Sequence, residues 1–444
     1  MSHAEQTDNF APLSPGFDAH GLIGYRDGVL TIDGVSATAI AEAYGTPAYV
    51  FSQRAAERAY DKLITALDAA MADGPAHRIC YAVKANTNRA LLTALATQGA
   101  GADVVSIGEA KLSIAAGFKP ADIVFSGVGK HPDEITEALR LGIGQLNAES
   151  VSELDVIGSC AEAVGATAKV ALRVNPDVDA QTHAKISTGK MGDKFGIPMD
   201  QIVDAYRYLC GHDHLTAAGL AVHIGSQITA PEPFEQAFAK IAELVGKLRD
   251  RDLPIDHLDL GGGLGIRYRN ETPIDPAAWA NAIAAIAKPL NCSVTVEPGR
   301  YIAGPSGVLL ATVLYAKHAG DRRIIILDAS MTELIRPSLY DAWHEIIPVI
   351  EPGDSAEYEA VDIVGPVCES GDTFAQQREM PHLRPGDQVA FLTAGAYTNV
   401  MASNYNARVK PPEIIIHDGK HHEVRPREDF AALLAGQTLP DWLK

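Results

Sequence analysis

Lys84 ends a strand-like run, Tyr81-Ala-Val-Lys84-Ala-Asn86, just before a helix-like segment opens. An amine displayed there can attack an aldehyde cofactor if burial or neighbouring cations depress its pKa. Most lysines are solvated surface groups, so the position takes its meaning from motifs further along the chain. These are His223-Ile-Gly-Ser226, Gly261-Gly262-Gly263, Glu297-Pro298-Gly299-Arg300 and Cys368-Glu369-Ser-Gly-Asp372. Glycines after a strand let backbone N–H groups approach a phosphate closely, and Ser226 adds a hydroxyl donor. A tight turn is the alternative reading of the triplet. Arg300 and Arg336 are cations suited to a carboxylate or phosphate, since guanidinium pairs with either in a two-pronged geometry.

The elements that must position these residues recur between about residues 79 and 300. Short β-branched runs end in a polar or glycine-rich turn and give way to Ala/Leu-rich, helix-like segments. The runs are Ile79 to Val83, Ala102 to Val105, Asp122 to Phe125, Ile143 to Leu146, Lys169 to Val174, Gly219 to Ile224, His257 to Leu260 and Ser293 to Val296. Eight strand–helix units predict a parallel sheet closed into a (β/α)8 TIM-like barrel, with an open doubly wound sheet as the alternative. A barrel carries its active site at the carboxyl ends of its strands. Lys84, Asp103 and Glu109, His223 and Ser226, the glycine triplet, and Glu297 to Arg300 all follow a strand in this scheme. After about residue 310 turns rather than long helices separate Arg323 to Leu327, Ala360 to Val364, Gln388 to Leu392 and Glu413 to Ile416, which predicts an antiparallel β-domain. The expected division is residues 1–45 as a segment joining the β-domain through a hairpin at Gly28–Gly34, 46–310 as the barrel, and 311–444 as the β-domain.

Composition narrows the partners. A net charge of −19 over 444 residues argues against nucleic acid or an anionic membrane surface. The polar first twenty residues and the lack of a long uncharged apolar stretch predict neither a signal peptide nor a membrane span, hence a cytoplasmic protein. Five scattered cysteines without a CxxC pair suggest neither disulfides nor a zinc site, so no metal is expected. The triplet lacks the spacing of a dinucleotide fingerprint.

Together these motifs resemble the fold-type III pyridoxal-phosphate decarboxylases, which share the alanine racemase architecture of a barrel followed by a β-domain. The resemblance spans nearly the whole chain and also rests on His183-Ala-Lys-Ile-Ser-Thr-Gly189, Lys194-Phe-Gly-Ile197, Arg336-Pro-Ser-Leu-Tyr340 and Gly395-Ala-Tyr397. It implies pyridoxal 5′-phosphate held as a Schiff base on Lys84, with Glu297 facing the pyridine nitrogen and His223 stacked on the ring. A protonated ring nitrogen is what lets a pyridoxal ring act as an electron sink. Ser226, Gly261, Gly262, Gly263, Pro298, Gly299, Arg300 and Tyr397 are the remaining cofactor-binding candidates. The resemblance also implies a homodimer in which Cys368 and Glu369 of one subunit complete the other's site, Cys368 as a proton donor to the α-carbon. Departures from the family pattern are Ile107 and Ser330, each where a glycine is usual, and Val409-Lys410. The glycine- and lysine-rich segment from His183 to Gly196 is expected to form a loop at the site, fixed or mobile.

Charge selects the substrate. A diaminopimelate molecule carries, beyond the reacting centre, both an ammonium and a carboxylate. Glu369 would accept the first, and Arg300, Arg336 and Tyr340 would bind the second, with Tyr397 beside cofactor and substrate. The expected reaction is decarboxylation of meso-2,6-diaminopimelate to L-lysine and carbon dioxide. Ornithine, lysine, arginine or a carrier-linked amino acid would be alternative substrates, but a substrate without the distal carboxylate would leave the arginines unpaired, at a cost of several kcal/mol if buried. A racemase would need an opposed acid or base that no motif supplies.

Overall fold

The computed structural model describes residues 21–179, 189 and 192–443. Most of the segment from His183 to Gly196 therefore lies outside the described residues. Eight parallel strands close into a barrel: His77–Ala82, Gly101–Val104, Ile123–Phe125, Gln145–Ala148, Ala168–Asn175, Leu215–Val222, His257–Asp259 and Ser293–Val296. Each is hydrogen-bonded to the next in chain order, and the eighth closes on the first with Val294 opposite His77. Every run read from the sequence contributes a strand, although the sixth begins at Leu215 rather than Gly219.

Strands covered on both faces must be apolar or small throughout, which is why Ile79 to Ala82 and Val170 to Leu172 are buried without alternation. The surrounding helices are seated by stripes. Glu232–Arg249 buries Phe234, Ala237, Phe238, Ile241, Leu244, Val245 and Leu248 at three- and four-residue spacing. Each fully buried Leu, Ile or Phe is worth about 1.5–3 kcal/mol over exposure, so this face holds the helix more firmly than its propensity does. Pro276–Leu290 starts on Asp275, whose carboxylate accepts from Ala277 N at 3.2 Å, with Pro276 where a missing N–H is harmless.

The second sheet contains Ala48–Ser52, Gly307–Ala319, Arg322–Leu327, Ile346–Pro348, Tyr358–Val364, Thr373–Pro381, Gln388–Phe391, Glu413–His417 and Lys420–Arg425. Most of its pairs are antiparallel. Two are parallel, Arg322–Leu327 with Tyr358–Val364 and Ala48–Ser52 with Glu413–His417, within a domain that is otherwise antiparallel as the sequence leads one to expect. Ala48–Ser52 also pairs antiparallel with Gly307–Ala319, so the barrel is inserted between two neighbouring strands of this sheet. The N-terminal strands Ile23–Arg26, Val29–Ile32 and Val35–Ser36 form a small sheet of their own. Its Leu30 and Ile32 share a core with Val50, Val308 and Ile414.

A buried polar clamp ties this sheet to the turn carrying Lys84. Asn86 Nδ2 donates to Gly395 O at 2.8 Å, and Tyr397 N to Ala85 O at 2.8 Å. Glu413 accepts from Asn88 Nδ2 at 2.6 Å and from Asn399 Nδ2 at 3.0 Å. Hydrogen bonds to a buried charged acceptor are worth about 1.5–3 kcal/mol each, and losing the acceptor strands both amides.

Candidate active site

The carboxyl ends of the strands bring the expected residues together. Lys84 occupies a short 3-10 turn, Val83–Ala85, directly after the first strand. Its Nζ lies 2.6 Å from Asp103 Oδ2, on the second strand. Burial opposes the ammonium, but Asp103, Glu297 and Tyr397 outweigh it and hold the Lys84 pKa above its ordinary value. The electrostatics thus run opposite to the sequence expectation of a depressed lysine, because the nearest charge is a carboxylate and not a cation. The side chain is 35% exposed, so this ion pair touches open space.

Glu297 follows the eighth strand immediately, and its backbone N donates to Gly261 O at 2.7 Å. Burial, then Asp103 and Asp259, push its carboxyl well above the usual range. Its Oε1 is buried without a partner among the described residues. His223, just past the sixth strand, accepts from Gly262 N at 3.1 Å through Nδ1. Burial, with Arg173 and Lys84 nearby, keeps the imidazole neutral, which puts its proton on Nε2.

The glycine triplet is a close approach of backbones. A Cβ on Gly262 would collide with the Glu297 carbonyl, and one on Gly263 with the Gly225 carbonyl, where φ is +104°. The N–H groups of Gly261 and Gly262 are committed to Asp259 Oδ1 at 3.0 Å and to His223. Ser226 accepts from Arg300 Nη2 at 2.9 Å and Nε at 3.2 Å, which leaves its own hydroxyl proton to donate.

Arg300 and Arg336 lie together, both buried, and neither meets a carboxylate among the described residues. Arg300 Nη1 donates to Tyr268 OH at 2.7 Å, and its Cζ lies 4.8 Å from the Tyr397 ring. Arg336 Cζ lies 4.6 Å from the Tyr268 ring, and its Nη1 is 2.6 Å from His344 Nε2. His344 Nδ1 bonds the Leu392 carbonyl at 2.9 Å, so Nε2 is the acceptor. Burial opposes ionisation of the Tyr268 phenol, yet the two guanidiniums outweigh it and lower the pKa. Tyr340 and Tyr397 both act electrostatically on Arg300 and Arg336. Tyr268 and His344 escape a sequence reading because each lies in an irregular segment with no motif around it.

Cys368 and Glu369 are exposed and are not brought to this cluster within the chain. Cys368 N donates to Asn406 Oδ1 at 3.0 Å, and Glu369 N to Val367 O at 2.8 Å, all within the β-domain. The departure at Ser330 is absorbed locally: its N and Oγ both donate to Glu333 Oε2, at 2.7 and 2.8 Å.

Residues 60–304 match the family model described as the pyridoxal-binding domain of pyridoxal-dependent decarboxylases. The diaminopimelate decarboxylase of Zymomonas mobilis is 43% identical over 94% of this chain and 99% of its own length. That of Pseudomonas aeruginosa is 44% identical over 94% of this chain and 98% of its own. The chain belongs to the diaminopimelate decarboxylases. Among solved structures, the diaminopimelate decarboxylase from M. jannaschii in complex with L-lysine superposes with a TM-score of 0.91 at 34% identity, covering 96% of this chain and 99% of that one. The Helicobacter pylori enzyme complexed with L-lysine gives 0.84 at 38% identity, covering 89% and 98%.

Pyridoxal phosphate is the cofactor of this decarboxylase family, and the residues present fit it. An unpartnered buried carboxyl oxygen on Glu297 and a lysine at the mouth of the site are what a pyridine ring bearing an aldehyde requires.

Proposed function

We propose that the protein decarboxylates meso-2,6-diaminopimelate to L-lysine and carbon dioxide. The observation that carries this reading is the pair of buried guanidiniums, Arg300 and Arg336, with no carboxylate of their own among the described residues. A distal carboxylate on the substrate would neutralise them, and the pair would set its distance from the reacting carbon. Lys84 would hold the cofactor covalently, Glu297 would face its ring nitrogen, and His223 would lie against the ring. Ser226, Gly261, Gly262, Gly263, Pro298, Gly299, Arg300 and Tyr397 would bind the rest of it. When bound, the cofactor supplies an electron-withdrawing ring that stabilises charge left as the carboxylate departs. Tyr340 and Tyr397 would line the substrate's path.

The exposed pair Cys368 and Glu369 supports a homodimer in which each subunit lends these residues to the other. Cys368 would return a proton to the α-carbon, with Lys84 as the other donor, and Glu369 would accept the distal ammonium. No helix among the described residues is long and apolar enough to cross a membrane. A cytoplasmic location is part of the proposal.

The test is carbon dioxide release from meso-diaminopimelate beside L-lysine, L-ornithine and L-arginine at matched concentrations. Release from diaminopimelate alone is expected, and preference for a substrate lacking the distal carboxylate overturns the reading. Sharing of the site is tested by mixing the inactive Lys84→Ala and Cys368→Ala variants. Random dimers restore about a quarter of full activity if each site draws on both subunits, and none if it does not.

A further inference from the structure

The two guanidiniums that lack a carboxylate share a phenol. Tyr268, 5% exposed, lies in the irregular stretch after the seventh strand, where its backbone N donates to Glu271 Oε2 at 2.9 Å. Its hydroxyl oxygen accepts from Arg300 Nη1 at 2.7 Å, and the Arg336 guanidinium carbon stands 4.6 Å from its ring centre. The His344 ring packs edge-on against the same phenol, with centroids 5.4 Å apart, and accepts from Arg336 Nη1. Arg300 otherwise bonds Ser226, so both guanidiniums keep N–H groups to give. A guanidinium only donates, which leaves the phenol's own hydrogen free, and no acceptor takes it among the described residues.

We propose that Tyr268 is a substrate-binding residue: its hydroxyl donates a hydrogen bond to the distal carboxylate of the substrate, beside those of Arg300 and Arg336. A phenol between two guanidiniums suits an anion site, because it bonds one cation and lies against the other without cancelling either charge. A carboxylate in its place would neutralise the pair before the substrate arrived. His344 serves the same end, since a neutral imidazole fixes Arg336 Nη1 and leaves its charge intact. Nearby cations also make the phenol a stronger donor toward an anion. The groups that face it are Arg300 and Arg336, which favour loss of its proton, Glu271, which opposes that loss, and His344, kept neutral by burial. Loss of the proton turns the donor into an anion that repels the carboxylate, so the contribution of Tyr268 to binding vanishes at alkaline pH.

The inference rests on the reading of the arginine pair as the place of the distal carboxylate, and two ligands separate the two claims. L-Lysine keeps that carboxylate after carbon dioxide has left the other end, whereas cadaverine is the same diamine without it. Binding of each to cofactor-loaded protein is followed by the cofactor absorbance. In Tyr268→Phe the dissociation constant for L-lysine is expected to rise about 10- to 100-fold, as for a lost hydrogen bond to a charged acceptor, with that for cadaverine unchanged. The ratio of the L-lysine constants, variant over wild type, should shrink as pH rises, because the ligand's own ionisations cancel in it. An unchanged L-lysine constant overturns the inference, and so does an equal rise for both ligands, which marks a merely structural phenol. If the wild type itself binds cadaverine as tightly as L-lysine, the reading of the arginine pair fails and takes this inference with it. Should Tyr268→Phe not bind cofactor, meta-fluorotyrosine introduced at position 268 answers the same question. Its more acidic phenol donates more strongly, so below its ionisation L-lysine must bind more tightly, and equal or weaker binding there overturns the proposal.

Discussion

Replacing Arg336 by Met should cost activity while sparing, or even raising, stability. In its favour Arg336 has one hydrogen bond to a neutral imidazole, worth about 1 kcal/mol, and a ring contact with Tyr268 worth about 1–2 kcal/mol. Against it stand the loss of water around a buried cation, several kcal/mol, and the like charge of Arg300. Burial and Arg300 depress the guanidinium pKa, so the folded chain holds this charge less tightly than water does. A methionine keeps the apolar bulk without the charge, and the balance predicts a change in unfolding free energy between about 0 and +2 kcal/mol. For diaminopimelate the same change removes a buried charge-assisted partner, worth about 3–5 kcal/mol, or roughly 10²–10⁴-fold in kcat/KM. Urea unfolding and carbon dioxide release measure the two quantities, with the cofactor absorbance as a control for an intact site. A loss of stability above about 2 kcal/mol with kcat/KM unchanged would refute the reasoning, since Arg336 would then be a structural ion.

Neighbouring residues carry expectations of their own. Lys84→Ala should abolish the absorbance of covalently held cofactor along with turnover, and a variant that still attaches cofactor and turns over removes Lys84 from its role. Gly262→Ala must push the Glu297 carbonyl aside, so cofactor affinity measured by fluorescence titration should drop at least tenfold. His223 and His344 are both buried and neutral, with pKa values held well below 6.5, first by burial and then by nearby cations. The stability they contribute is complete above 6.5 and is lost as pH falls toward their folded values, because the unfolded chain then binds protons the folded one refuses. Together they give a slope of about 2.7 kcal/mol per pH unit, and the double variant His223→Gln, His344→Gln should flatten the acid limb of a stability–pH curve. Glu413→Gln should loosen the turn at Lys84, lowering kcat with little change in the KM for diaminopimelate; an unchanged kcat would show the clamp to be dispensable.

Features set by local interactions are legible in the chain, and those set by distant partners are not. The barrel strands announce themselves because a strand covered on both faces has little choice but apolar or small residues, and the turn after it exposes whatever does chemistry. Lys84, His223, the triplet and Glu297 stand out for that reason. Their electrostatics do not, since the partner of Lys84 is nineteen positions away on another strand. Asp259 looks like any acid at the end of a strand until Asn147 and Gly261 are seen around it. The membership of Ala48–Ser52 in the second sheet is equally hidden, because its partners lie on the far side of the barrel in sequence.

That insertion has a consequence for how the chain is made. Ala48–Ser52 leaves the ribosome roughly 250 residues before Gly307–Ala319, a delay of about 10–50 s at ~5–20 residues per second. Throughout that interval the barrel is emerging while a short segment of Ala, Tyr, Val and Phe stands without the strands that will flank it. Its other neighbour, Glu413–His417, comes later still. Any message truncated after the barrel would release a chain with this apolar strand open on both edges, the kind of surface that recruits chaperones or other copies of itself.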